Sequence, residues 1–161
     1  MTTEKATFGA GCFWHVQFAF SKLRGVKTTA GYMGGDEKRY PNPTYEQVCS
    51  NKTGYIEVVQ VEFDPKKTKY EKLLDVFWGM HDPTSQDRQG FDMGVQYRSV
   101  IFYHNKKQKA LAEASKKELT VRSLKPVVTE IRAAATFFRA EEYHQDYVRK
   151  TGHDVCPTPS K

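Results

Sequence analysis

Tyr55-Ile56-Glu57-Val58-Val59-Gln60-Val61-Glu62-Phe63 is the stretch on which the fold turns. Its β-branched and aromatic side chains, ended by Asp64-Pro65, read as a β-strand. Alternation puts Tyr55, Glu57, Val59, Val61 and Phe63 on one face, an apolar row interrupted by a single carboxyl group. The period then changes. From Tyr70 to Met80 the residues Leu73, Leu74, Phe77 and Trp78 recur at helical spacing and turn inward.

Outward from this strand–helix pair the alternation continues in both directions. Lys5 to Gly9 reads as a strand leading into Gly11. Cys12 to Leu23 reads as a largely buried helix carrying Trp14, Val16, Phe18, Phe20 and Leu23, stopped by Gly25. Val26 to Tyr32 is a strand closed by Gly34-Gly35, residues 36–44 with Pro41 and Pro43 are loop, and Tyr45 to Cys49 is a helical turn. Residues 81–97 are rich in Gly, Asp, Gln and Ser, and a loop of that length in a compact domain is usually functional. Ser99 to Tyr103 is a strand, Lys106 to Thr120 a charged surface helix, Pro126 to Ile131 a strand and Glu141 to Lys150 a last helix. The succession predicts an α+β fold. Its core is a ferredoxin-like β-α-β-β-α-β arrangement, an antiparallel sheet with helices on one face, and further helices and a strand decorate its C-terminal side. One domain over 1–161 is expected, with a flexible Gly/Pro tail from about 151 to 161.

Composition excludes several classes. The chain has 161 residues, 39% of them hydrophobic, with 10 Phe, 9 Tyr and 2 Trp, enough apolar area to offset chain entropy and rule out disorder. No apolar run approaches a membrane span, and Met1 to Thr7 has no apolar signal region, so a cytoplasmic protein with reduced thiols is expected. The formal charge of +6 is dispersed over short clusters such as Lys66-Lys67, Lys106-Lys107 and Lys116-Lys117. No zinc-finger or basic-helix pattern accompanies it, which leaves a basic binding module as a distant alternative and no nucleic-acid partner as the expectation.

Three cysteines stand far apart at 12, 49 and 156 without a CxxC pair, so no disulfide scaffold is built. Cys12 follows a strand and Gly9-Ala10-Gly11 and opens a helix, where free N–H groups and the macrodipole favour a thiolate; a buried structural cysteine is the alternative. A dinucleotide loop is disfavoured, since Trp14 stands where the third glycine belongs. An inward Glu57 loses hydration, and its pKa should rise. His153-x-x-Cys156 is at most half a metal site, and His81, His104 and His144 show no paired spacing, so no metal is expected. His144 reads as a hydrogen-bonded core histidine, although a Cys-His hydrolase using Cys12 and His144 stays open at this point.

Gly11-Cys12-Phe13-Trp14 resembles the GCFW signature of the peptide methionine sulfoxide reductase A family. The similarity continues in order through Pro43 to Cys49, Gly54 to Val59, His81-Asp82-Pro83-Thr84, Gln89 to Ser99 and Ala140 to Gln145. The resemblance implies thiol-dependent reduction of methionine-S-sulfoxide without a cofactor. It casts Cys12 as nucleophile, Glu57 as acid, Phe13 and Trp14 as the pocket for the S-methyl group, and Tyr45, Tyr97 and Asp92 as the groups holding the sulfoxide oxygen or a water beside it. A thiolate that attacks a sulfoxide becomes a sulfenic acid, which condenses with a second thiol. Cys156, in a tail unable to stay helical, is the expected resolving cysteine, while Cys49 is expected to pack inside the turn after Tyr45. Thioredoxin or another dithiol would then restore the thiols of a monomeric enzyme. His15, Gln17, Tyr55 and Ile56 depart from the family's usual Gly, Glu, His and Ala.

Overall fold

The structure is a computed structural model and describes residues 2–152. It opens with β1 (Glu4–Ala10), α1 (Phe13–Ser21), β2 (Val26–Met33), the short α2 (Tyr45–Cys49), β3 (Ile56–Phe63) and α3 (Tyr70–Gly79). A small hairpin, β4 (Arg88–Gln89) and β5 (Asp92–Met93), and a 3-10 turn at Val95–Tyr97 organise the long loop. Then come β6 (Ser99–Tyr103), α4 (Lys106–Arg122), β7 (Glu130–Ala133), β8 (Phe138–Arg139), a 3-10 turn at Glu142–His144 and α5 (Tyr147–Thr151).

The main sheet runs β7-β6-β1-β3-β2-β8. β3 lies antiparallel between β1 and β2, and β1 lies antiparallel between β3 and β6. The units β1-α1-β2 and β3-α3-β6 are therefore each split by a strand of the other. β7 departs from the antiparallel pattern, pairing parallel with β6 after the α4 crossover.

The pleat sorts side chains between two clusters. Ala6, Phe8 and Ala10 of β1, Val59, Val61 and Phe63 of β3 and Ile101 of β6 face α1 and α3, where Phe13, Val16, Phe20, Leu73, Leu74 and Phe77 complete the main core. Phe8 is central, with ring centroids of Phe20 and Phe77 at 5.0 and 5.3 Å. Met33, Ile56, Val58, Val100 and Phe102 face the other way and are covered by Ala134 and Phe137 from the irregular segment between β7 and β8. Gly31 permits that cover, because a Cβ there would meet the Phe137 ring at 2.4 Å.

Two expected elements differ. The strand anticipated from Pro126 begins only at Glu130, because Val128 N–H turns aside to the Pro83 carbonyl at 2.8 Å. The helix anticipated over Glu141 to Lys150 is broken: a 3-10 turn, then Asp146 in left-handed backbone at φ 51°, then α5. Its Glu141 and Gln145 side chains bond backbone groups of other elements, which competes with a regular helix. No helix among the described residues is long and apolar enough to cross a membrane.

Candidate active site

β1 is followed by Gly11, whose φ of +96° suits glycine and whose missing side chain makes room for Gln89. The turn makes Cys12 the N-cap of α1, with 9% of its surface exposed. The first N–H groups of a helix have no partner within it. That of Phe13 is taken by Glu57 Oε1 at 3.2 Å. Glu57 reaches it because the β3 pleat turns it toward α1, as the alternation predicts. It is buried, and its second oxygen has no hydrogen-bond partner among the described residues. Burial pushes its pKa up to about 8; the Phe13 N–H pulls the other way and Asp92 adds to the rise. Glu57 thus keeps its proton at neutral pH.

Aromatic rings surround this pair. Phe13 lies 5.6 Å from Tyr32, 6.4 Å from Tyr45 and 5.0 Å from His144, centroid to centroid. Tyr45 is the first residue of α2, whose start is fixed by a reciprocal Thr44–Gln47 capping box. Burial first, then the nearby Glu57, hold the phenols of Tyr45 and Tyr97 above their ordinary pKa, so both remain O–H donors. Burial also raises Asp92. The charge of Glu57 acts on both Tyr45 and Tyr97, and that of Asp92 on both Glu57 and Tyr97, so the four groups lie near one another beside the N-terminus of α1.

The loop that delivers Asp92 and Tyr97 is anchored at its ends. Arg98 holds Asp87 through Nε at 2.5 Å and Nη2 at 3.0 Å, and reaches Glu130 at 3.1 Å. The Gln89 side chain closes a two-way bridge to the backbone of Asp82.

Glu141 is a participant that the sequence did not single out, whereas His144 is the buried, hydrogen-bonded histidine expected. Glu141 accepts the Tyr45 N–H at 2.9 Å and the Tyr32 hydroxyl at 2.8 Å. Burial works to raise its pKa, but these hydrogen bonds outweigh it and hold the carboxyl below its ordinary value. The site thus pairs a protonated carboxyl, Glu57, with an ionised one, Glu141. His144 accepts the Trp14 indole N–H on Nδ1 at 2.8 Å. That ring nitrogen is occupied, which argues against His144 as the base of a Cys-His hydrolase. Burial lowers its pKa to about 4, against the pull of Glu141. Cys49 is a free thiol, partly exposed rather than packed within its turn, in hydrogen-bonding reach of Tyr45 and Gln96, with burial raising its pKa. Among the described residues four buried side-chain atoms lack a hydrogen-bond partner, and three of them, on Glu57, Gln96 and His144, belong to this neighbourhood.

Cys156 lies outside the described residues. No group of three or more His, Cys, Asp or Glu among those described is placed to hold a metal ion. Three of the unusual residues have local structural roles. Gln17 accepts from Asp146 N–H and donates to the Thr28 carbonyl, the Tyr55 hydroxyl donates to the Tyr40 carbonyl, and Ile56 packs in the cluster behind the sheet.

The family model described as peptide methionine sulfoxide reductase matches residues 4–161. The MsrA of Geobacter sulfurreducens is 55% identical over 156 residues, covering 95% of this chain and 94% of that protein. Reduced Mxr1 from Saccharomyces cerevisiae superposes with a TM-score of 0.90 at 32% identity, over 98% of this chain and 90% of that one. Mxr1 in complex with Trx2 shares the fold, with a TM-score of 0.63 at 23% identity over 97% and 87% of the two chains. With the match spanning nearly its whole length, the chain belongs to the peptide methionine sulfoxide reductase family.

Proposed function

We propose that the chain reduces the S epimer of methionine sulfoxide, free or in proteins, with Cys12 as nucleophile and Glu57 as acid. One observation carries this reading: a buried, protonated carboxyl is hydrogen-bonded to the N–H of the residue that follows the cysteine. A sulfoxide sulfur is a poor electrophile while its oxygen keeps negative charge, so the reaction needs thiolate and acid together.

The Cys12 thiolate, favoured by the helix N-terminus, attacks the sulfoxide sulfur. Glu57 passes its proton to the oxygen, and Tyr45 and Tyr97 donate to that oxygen without adding charge. Asp92 holds a water beside it. Phe13 and Trp14 enclose the S-methyl group. The protonated oxygen then passes from the methionine sulfur to Cys12 Sγ, and the S–O bond and the transient Sγ–S bond break. Methionine leaves with two electrons more than the sulfoxide had, and Cys12, oxidised by those two electrons, is left as the sulfenic acid. The Cys156 thiol attacks that sulfur, water departs and a Cys12–Cys156 disulfide forms. A dithiol such as thioredoxin then reduces it by exchange in the cytoplasm. The solved complex of the relative Mxr1 with Trx2 supports a partner of this kind.

The test is dithiol-dependent turnover of the two separated sulfoxide epimers by the wild-type chain and by Cys12→Ser. Consumption of the S epimer alone, abolished by Cys12→Ser, is expected. Turnover retained by Cys12→Ser overturns the assignment.

A further inference from the structure

We propose that His144 is a positioning residue for this reaction: its Nδ1 holds the Trp14 indole in place as a wall of the methyl pocket, making His144 a determinant of sulfoxide binding. The inference rests on the reading of Trp14 given above.

Trp14 needs such a hold. It is the second residue of α1, only partly buried, and packs against the main core. Two further contacts set its orientation. The indole N–H donates to His144 Nδ1 at 2.8 Å, and the ring stacks on Tyr147 at 3.6 Å with planes 9° apart. The hydrogen bond is directional and the stack is not, so the imidazole sets the angle of the ring within its plane.

His144 is itself rigidly placed. It is 0% exposed, with its ring centroid 5.0 Å from Phe13, 4.5 Å from Tyr45 and 4.0 Å from Tyr143. One imidazole therefore contacts Phe13 and Trp14, assigned to the methyl pocket, and Tyr45, assigned to the sulfoxide oxygen. The turn that carries it is pinned on both sides. Glu141 binds Tyr45 and Tyr32, and Gln145 brackets Ala30, accepting its N–H and donating to its carbonyl at 2.9 Å each.

The tautomer follows from the bond to Trp14. With Nδ1 accepting, the neutral ring carries its proton on Nε2. That buried N–H has no partner among the described residues. An apolar residue would fill the space without leaving a donor unsatisfied. An imidazole here is explained by what Nδ1 does for Trp14. Its depressed basicity keeps Nδ1 free to accept at neutral pH.

The experiment compares His144→Leu with His144→Asn, whose Oδ1 falls near the position of Nδ1. With N-acetyl-methionine-S-sulfoxide as substrate, His144→Leu should raise KM about five- to tenfold, roughly what one buried hydrogen bond is worth, with kcat changed by less than about twofold. His144→Asn should return KM to within about twofold of wild type. Trp14→Phe lacks the indole N–H, so adding His144→Leu to it should bring no further loss. In a Trp78→Phe background Trp14 is the remaining tryptophan, and its quenching by acrylamide should rise in His144→Leu and not in His144→Asn. Additive losses in the double mutant, or His144→Leu and His144→Asn alike in KM and quenching, overturn the proposal. If Trp14→Phe alone leaves KM unchanged, the pocket reading of Trp14 fails and the determinant role with it, and quenching then decides whether His144 holds the indole at all. Should His144→Leu not fold, His144→Gln, whose acceptor extends toward the Nε2 position, makes the same comparison with His144→Asn.

Discussion

The backbone N–H of Phe13 and the carboxyl of Glu57, 44 positions apart in the chain, meet at 3.2 Å. The contact joins the first turn of α1 to the middle of the sheet. It brings a proton-bearing acid beside the cysteine that caps the helix.

That acid has a signature in both rate and stability. Its folded pKa, about 8, lies above the ordinary 4.5, so the folded state keeps a proton that the unfolded chain releases between those values. Stability from this group is therefore greatest below about pH 4.5, falls as pH rises and levels off above about 8. Glu57→Gln keeps a neutral group in the same space and should abolish the slope. Relative to wild type it should gain about 3 kcal/mol at pH 7 and almost nothing at pH 4, measured by denaturant unfolding. The sulfoxide-reduction step should meanwhile slow by about 10²–10⁴-fold, and the wild-type rate should fall as pH passes about 8.

The tail cysteine makes a separate prediction. Cys156→Ser should reduce one sulfoxide per chain and then stop, with the Cys12 sulfenic acid trapped by dimedone and read by mass spectrometry. Cys49→Ser should cycle with thioredoxin as wild type does. A stall in Cys49→Ser, with normal cycling in Cys156→Ser, would transfer the resolving role to Cys49.

Arg98 ties the loop carrying Asp92 and Tyr97 to the sheet through Asp87 and Glu130, and these partly exposed pairs contribute little to global stability. Arg98→Gln should lower unfolding free energy by only about 1 kcal/mol. It should lower kcat more, by about tenfold, because Asp92 and Tyr97 lose their fixed placement. Asp87→Asn should repeat the pattern. Steady-state kinetics and thermal melts on both variants check it, and an unaltered kcat would show the loop to be held by other contacts.

Gly31 tests the cover on the back of the sheet. A methyl group there would lie within 2.5 Å of the Phe137 ring and the Phe138 carbonyl. Gly31→Ala should therefore destabilise by about 2–3 kcal/mol in denaturant titration. Phe137→Ala in the same chain should recover only part of the loss, since the clash with the Phe138 carbonyl persists.

Local pattern carried much of this protein. Alternation over Tyr55 to Phe63 placed Glu57 on the buried face, and the glycines before Cys12 placed the thiol at a helix start, because both depend on backbone geometry over a few residues. The motif order identified the family. Glu141 and the partner of the core histidine His144 resisted such reading, since Tyr45 and Tyr32 lie 96 and 109 positions from Glu141 and Trp14 lies 130 from His144. The helix anticipated around them was overturned for the same reason, as its side chains bond across the molecule rather than along the chain.

The sequence by itself determined the strand and helix order, the apolar face of the sheet and the position of Cys12 at a helix start, all properties of neighbouring residues. The rise at Glu57 followed from its place on the strand, but only the tertiary structure decided that Glu141 is ionised. The difference is one of partners. Glu57 accepts one N–H in full burial, whereas Glu141 accepts a backbone N–H and a phenol O–H that favour its charged form.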